Sequence, residues 1–311
     1  MRLDDYRESE NVGDQRGESF GGVGGGGGGL GLIFALVGSR FGIGGIIILV
    51  VGMMLLGLNP FGGSGTGISP QQATQVTRQG AAKACAADAA STFSCKVLAS
   101  TEDTWGRIFA RNGQRYTPPR LIFYSGRGES GCGAAMAAMG PFYCPTDNDI
   151  YLDTSFFEEL QSRFHAAGDF AEAYVIAHEV GHHVQFLTGI ADKVRQEQNH
   201  RDEAGANALQ VRMELQADCY AGVWAAKNRD RLDPGDVEEG LRAAAAIGDD
   251  TLQRAAGQTP VPDSFTHGTS AERVAWLKRG IDTGDPDACD TFSGPIDRPV
   301  QPSATSSTNS R

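Results

Sequence analysis

The residues best equipped for chemistry stand in "VIAHEVGHHVQ", between Val175 and Gln185. His178 and His182 are four apart, and Glu179 directly follows the first. On a helix, residues at i and i+4 lie one turn apart on one face. The two imidazoles can therefore hold two corners of a tetrahedral Zn2+ site, at about 2.0–2.1 Å. Glu179 projects toward the open corner, where it can take a proton from metal-activated water; this is the logic of an H-E-x-x-H motif. The preceding "AYVIA" is apolar and would bury the helix. Buried polar groups without partners are costly, and a metal satisfies all three at once. His183 points about 100° away from His182 and is expected to bond structurally or to face solvent.

A catalytic zinc site has three protein ligands and one water. A metzincin would continue with a glycine and a histidine where this chain has Gln185 and Thr188, so that class is excluded. The next helical stretch, "MELQADCY", supplies Glu214 and Asp218, again four apart. Their neighbours Leu215, Ala217, Cys219, Ala221 and Trp224 do not suit a solvated acidic face. Glu214 is expected to be the third ligand of one zinc ion. Asp218 is expected to accept the free ring N–H of a ligand histidine, fixing its tautomer.

These side chains need helices to carry them. Asp169 can cap a helix over 170–188, ended by Gly189. A longer helix over 202–228 carries Glu214 and Asp218. A third starts at Asp233, with Pro234 at its first position and acids in its first turn. A fourth covers "SAERVAWLKRG", with Gly280 after its end. "RLIFY" (120–124) and "DIYLD" (149–153) read as short strands. The "IYLD" strand is placed along the cleft edge, where an extended substrate could pair with it. The fold class is therefore α+β, a mostly helical domain with a small β-sheet over residues 72–290.

Residues 1–29 are polar and then glycine-dominated, and are expected to be disordered because they offer little apolar area to bury. Residues 30–58 read as a transmembrane anchor: Phe41 to Leu58 is 18 residues without a charge, close to the roughly 20 that cross a bilayer. No small-residue cleavage site follows, so the anchor is expected to be uncleaved. Arg40 precedes it and the next basic residue is Arg78, which favours a cytoplasmic N-terminus and an outer domain. Residues 59–71 read as a linker, and 291–311 as a disordered tail.

The chain of 311 residues has a net charge of −11 and no basic run, which speaks against nucleic acid as a partner. Its six cysteines include no C-x-x-C pair, so a zinc ribbon or thioredoxin motif is not expected. Chain proximity favours Cys85–Cys95 and Cys132–Cys144, leaving Cys219 with Cys289. Such disulfides belong to an oxidising compartment.

Six stretches together resemble one family: "SGCG" (130–133), "GPFYCPTDNDIYLD" (140–153), "AYVIAHEVGHHVQ" (173–185), "ELQADCYAGVWA" (214–225), "LDPGDVEEGLRAAAAIGDD" (232–250) and "DSFTHGTSAERVAWLKRG" (263–280). The chain resembles the neutral zinc metallopeptidases of the YpfJ type, bacterial proteins with one N-terminal membrane span. The resemblance implies a zincin-like domain in which His178 and His182 are ligands and Glu179 is catalytic. The ligand pattern is also similar to gluzincins, in which a glutamate ligand is followed four residues later by an aspartate. That likeness suggests His267 as a donor to the oxyanion and Arg273 as a brace for a carboxylate near the metal. The reading is a single-pass, membrane-anchored zinc metalloendopeptidase of the bacterial inner membrane, acting on peptide or protein substrates on the extracytoplasmic side. The alternative is a membrane-tethered zinc-binding scaffold without peptidase activity. The intact Glu179 speaks against it, since a closed structural site needs no base.

Overall fold

The structure, a computed structural model, describes residues 1–18, 77–162 and 168–296. The anchor expected over 30–58 lies outside these residues. Among the described residues no helix is long and apolar enough to cross a membrane.

Strand β1 (Val12–Asp14) is followed by helices α1 (Arg78–Cys85) and α2 (Ala89–Arg111). Five strands come next: β2 (Arg120–Phe123), β3 (Arg127–Ser130), β4 (Gly133–Met136), β5 (Phe142–Cys144) and β6 (Asp149–Leu152). The rest is helical: α3 (Ser155–Ser162), α4 (Asp169–Leu187), α5 (Ile190–Gln198), α6 (Glu203–Lys227), α7 (Asp236–Ala246), α8 (Asp249–Ala255) and α9 (Ser270–Thr283). The class is α+β and mostly helical, as expected. A four-stranded sheet has the order β1-β2-β6-β5, in which β1, β2 and β6 are parallel and β5 is antiparallel to β6.

The "IYLD" strand is not at the edge. β6 lies between β2 and β5 with all four residues buried, as an inner strand covered on both faces must be. β5 takes the edge position.

Residues 1–18 depart furthest from expectation. They are folded onto the domain: β1 pairs with β2 from Val12↔Leu121 to Asp14↔Phe123. Leu3 and Val12 are 2% and 1% exposed. The segment is held chiefly by polar groups, which is why its composition suggested disorder. Glu102, buried on α2, accepts from Arg7 at 2.9 Å and Asn11 at 2.8 Å. The Met1 α-ammonium donates to Asp169 at 2.7 Å, at the start of α4, and lies 3.1 Å from Asp236. Glu10 meets Arg78 at 2.9 Å, joining the N-terminal segment to the start of α1. Residues 1–18 and the domain thus form one packed unit. At the other end, residues 291–296 also pack on the domain: Trp276 donates to the Ile296 carbonyl at 3.0 Å.

The helices that matter for the site have identifiable ends. Asp169 begins α4 itself, with Gly168 as its cap, and Gly189 at φ 73° turns the chain into α5. Asp202 caps α6, its side chain accepting from Gly205 N–H. α7 starts at Asp236 rather than after Asp233, and the Asp236 carboxylate accepts the Asp233 N–H at 2.7 Å. α9 runs past Gly280 to Thr283, opened by a capping box of Thr269 and Glu272. Gly280 serves a close crossing instead of a stop: a Cβ there would lie 2.0 Å from the Cys219 carbonyl on α6. The disulfides are Cys85–Cys95, Cys132–Cys144 and Cys219–Cys289, the pairing expected from the sequence.

If residues 1–18 are part of the core, Val12→Asp buries an unpaired charge beside Leu121. It should cost about 2–4 kcal/mol and lower the thermal midpoint by about 5–15 °C. Calorimetry of the variant reads this; an unchanged midpoint would return the segment to the disordered class.

Candidate metal centre

Two antiparallel helices build the site. Tyr174 and His178 on α4 meet Asp218 on α6, while Gln185 on α4 meets Met213 on α6. They approach closely at Gly181, where a Cβ would stand 2.9 Å from the Ala217 carbonyl oxygen. The glycine of "HEVGH" thus lets α6 come near enough for Glu214 to reach both imidazoles.

Glu214 Oε2 lies 3.2 Å from His178 Nε2 and 3.5 Å from His182 Nε2. Ligands at about 2.0–2.1 Å on a tetrahedral zinc ion stand about 3.3 Å apart. The donor atoms are therefore spaced as the edges of a zinc coordination tetrahedron. The tautomers agree. His178 Nδ1 is 2.8 Å from Asp218 Oδ1, and His182 Nδ1 is 3.0 Å from Gln185 Oε1. Each ring donates its Nδ1–H outward and keeps the Nε2 lone pair for a metal. Two nitrogens and one carboxylate oxygen suit zinc.

The surrounding shell is largely buried. Arg273, 1% exposed, donates to both oxygens of fully buried Asp218 at 2.9 Å, and Tyr174 donates to Asp218 Oδ1 at 2.6 Å. Gln185 donates in turn to the Met213 carbonyl at 2.7 Å. Gln210 donates to Glu214 Oε1 at 2.9 Å, leaving Oε2 to face the histidines.

Electrostatics follow this geometry in the metal-free site. Burial lowers the His178 pKa, but the Asp218 and Glu214 carboxylates more than reverse this and raise it to about 9. Burial pushes Glu214 up, yet His182 and His178 hold it well below the usual carboxylate range. Burial raises Glu179, and the two histidines offset only part of that. A buried carboxylate of raised proton affinity is suited to carry a proton.

Glu179 is buried, and the backbone N–H of Tyr143 on β5 favours its charged form. The Tyr143 hydroxyl is 3.1 Å from His183 Nδ1, and His183 Nε2–H donates to the Thr117 carbonyl at 2.7 Å. His183 is thus a buried structural residue that ties α4 to β5. His267 lies on a loop wrapped around Asp249, its Nδ1 3.2 Å from Asp249 Oδ1. It lines the same cleft of about 410 Å³ as His178, Glu179, His182, Glu214 and Arg273. A second acidic group, Asp169, Asp236 and Glu239, could also hold a cation. Its Asp169 and Asp236 receive the Met1 ammonium instead.

All the residues singled out from sequence, His178, Glu179, His182, Glu214, Asp218, His267 and Arg273, therefore converge on one cleft. Gln185, Gln210 and Tyr143 were not singled out. Helical spacing carried a signal for two of them, since Gln185 is three after His182 and Gln210 four before Glu214. Tyr143 carried none, because its contact with Glu179 is made across the sheet edge.

An H-E-x-x-H helix completed by a glutamate from a neighbouring antiparallel helix is the arrangement of a zinc peptidase. A family model described as "Putative neutral zinc metallopeptidase" matches residues 1–292, and the chain belongs to that family. It is 47% identical to YpfJ of Escherichia coli (strain K12) over 305 residues, covering 95% of this chain and 100% of that protein. It is 41% identical to Rv2575 of Mycobacterium tuberculosis (strain ATCC 25618 / H37Rv) over 223 residues, covering 67% of this chain and 73% of that protein. No solved structure matches the chain.

Loss of an outer partner should weaken zinc binding without removing a ligand. Asp218→Asn and Gln185→Leu should each raise the zinc dissociation constant about 10–100-fold, and Glu214→Ala should raise it further. Competition with a chromogenic chelator measures all three.

Proposed function

We propose that the chain is a zinc-dependent endopeptidase. The observation that carries this reading is the spacing of His178 Nε2, His182 Nε2 and Glu214 Oε2, with the buried Glu179 beside them in an open cleft. Zinc held by those three residues supplies Lewis acidity, lowering the pKa of water toward about 7 and polarising a carbonyl. Glu179 takes the proton of the attacking water and passes it to the leaving amine. Tyr143 N–H keeps its carboxylate in place. Burial lowers the His267 pKa, but Asp249 and Glu214 more than reverse this; as an imidazolium it donates Nδ1–H to Asp249 and offers Nε2–H to the carbonyl oxygen as charge grows there. Asp218 and Gln185 keep the ligand imidazoles in the required tautomer, and Arg273 keeps Asp218 ionised.

Glu179→Gln tests this directly. The variant should bind about one zinc per chain and lose peptide turnover by about 10²–10⁴-fold, the range general-base removal commands. A peptide-library digest with and without chelator, beside a metal assay, reads both quantities. Turnover retained by Glu179→Gln removes the residue from its role. A zinc-loaded wild type that cleaves no peptide favours the scaffold reading.

The apolar segment 30–58 is proposed to hold the protein to a membrane, with residues 1–18 and the domain both on the extracytoplasmic side. Three disulfides support an oxidising compartment, and the β1–β2 pairing supports a shared side. Tags at the two termini should be equally sensitive to protease added to spheroplasts. Protection of the N-terminal tag alone would mean that residues 1–18 do not dock on the domain of their own chain.

A further inference from the structure

An extended substrate would be expected to pair with the open sheet edge beside the metal. That edge is β5, and it offers little to pair with. Pro141 and Pro145 bracket it and have no N–H. In the antiparallel pair with β6, successive backbone groups alternate between partner and open side. The Tyr143 backbone N–H favours the charged form of the Glu179 carboxylate, which places this strand beside the candidate base. Recognition therefore falls on side chains lining the cleft.

Their charges can be taken one by one. Glu214 faces His178 and His182. Arg273 is spent on Asp218, and His267 is on Asp249. Glu179 is the base. One charged side chain of the lining remains, Arg195 on α5, and it has no ion pair or hydrogen bond among the described residues. The acids on its own helix do not neutralise it: Glu197 is with Arg201 at 3.6 Å, and no contact joins Asp192 to Arg195. Its placement is not that of a stray surface cation. Ala191, Val194, Arg195 and Gln198 form the i, i+3, i+4, i+7 stripe of α5 that lines the cleft. Gln198 on that stripe donates to Gln210, which donates to the ligand Glu214. The lining also includes the apolar residues Phe156, Val175, Ile247 and Leu252.

We propose that Arg195 binds a substrate carboxylate, so that the site selects peptides carrying an acidic group on the α5 side of the cleaved bond. The inference rests on the peptidase reading above. Arg195 is exposed where it lines the cleft, so its pairing with a carboxylate is screened by solvent and changes affinity by about 2–5-fold.

The test uses zinc-loaded full-length protein and peptides with one large apolar residue. Glu, Gln or Lys is placed at each position on either side of it, and each peptide is made with a free or an amidated C-terminus. Wild type should favour Glu over Gln at one position, or the free acid over the amide, by about 2–5-fold in kcat/KM, mostly through KM. The two arms separate a side-chain carboxylate from a terminal one. Arg195→Gln should abolish the preference, and Arg195→Glu should turn it toward Lys. An acidic preference that survives Arg195→Gln, or no preference in wild type, overturns the inference. If wild type cleaves none of the peptides, the peptidase reading fails instead. Dissociation constants of the same peptides for zinc-loaded Glu179→Gln then still decide whether Arg195 selects carboxylates.

Discussion

Helices α4 and α6 approach as closely as they do because position 181 lacks a side chain. Packed interiors transmit small displacements, and a Cβ at Gly181 would force the α6 backbone away from 2.9 Å. Metal ligands tolerate errors of only about 0.2 Å. The donor spacing between Glu214 and the two histidines therefore depends on this contact before it depends on any charge. The same logic recurs on the far side of α6. Gly222 and Gly280 meet there so closely that a Cβ on either would lie about 2 Å from the opposing backbone. That crossing brings Arg273 to Asp218, and the Cys219–Cys289 disulfide ties α6 to the chain just beyond α9. Three helices are thereby held in register by two backbone contacts and one covalent bond.

On this frame sits a buried ionic cluster. Asp218 and Arg273 have almost no exposed surface. Burial alone would push the Asp218 pKa up, yet Arg273 and His178 hold it below the usual carboxylate range. Removing either partner would leave an uncompensated buried charge, at a cost of about 3–5 kcal/mol. The cluster makes the two ligand histidines unequal: His178 leans on an ionised carboxylate and His182 on the neutral amide of Gln185. An anionic partner raises imidazole basicity more than an amide does, so His178 is the stronger donor to a metal.

The site was legible in the sequence where helical spacing alone relates its parts. His178, Glu179 and His182 share one turn, and Glu214 and Asp218 share another, so a periodicity of 3.6 places them without tertiary knowledge. Helix α2 was not legible, although it is 23 residues long. Its buried residues include Ser91, Ser94, Ser100, Thr101, Glu102 and Thr104 among Cys95, Val97, Leu98, Trp105 and Phe109. Hydroxyls such as Ser94 and Ser100 bond the helix's own carbonyls at Ala90 and Val97, so polar residues interrupt the apolar period that would mark it. Residues 1–18 were hidden for a related reason. Arg7, Ser9 and Asn11 look solvated in sequence, but their partner is the buried Glu102. The edge role of β5 was missed because "FYC" is too short and too broken by proline to read as a strand.

The folded N-terminal segment links two parts of the molecule that the sequence keeps far apart. β1 precedes the apolar segment in the chain, and its partner β2 is bonded to β6, which is bonded to β5. β5 carries Tyr143, whose backbone N–H serves Glu179 and whose hydroxyl meets His183 on the metal-binding helix. One continuous hydrogen-bonded sheet therefore runs from the residues flanking the apolar segment to the candidate general base. Because sheet neighbours are spaced by main-chain bonds, a shift of β1 cannot be absorbed by side-chain rotation alone; it must displace β2 and β6, or break the ladder. Residues 1–18 thus belong to the support of the site, and their polar anchoring to Glu102 and Asp169 keeps the near end of that ladder in place.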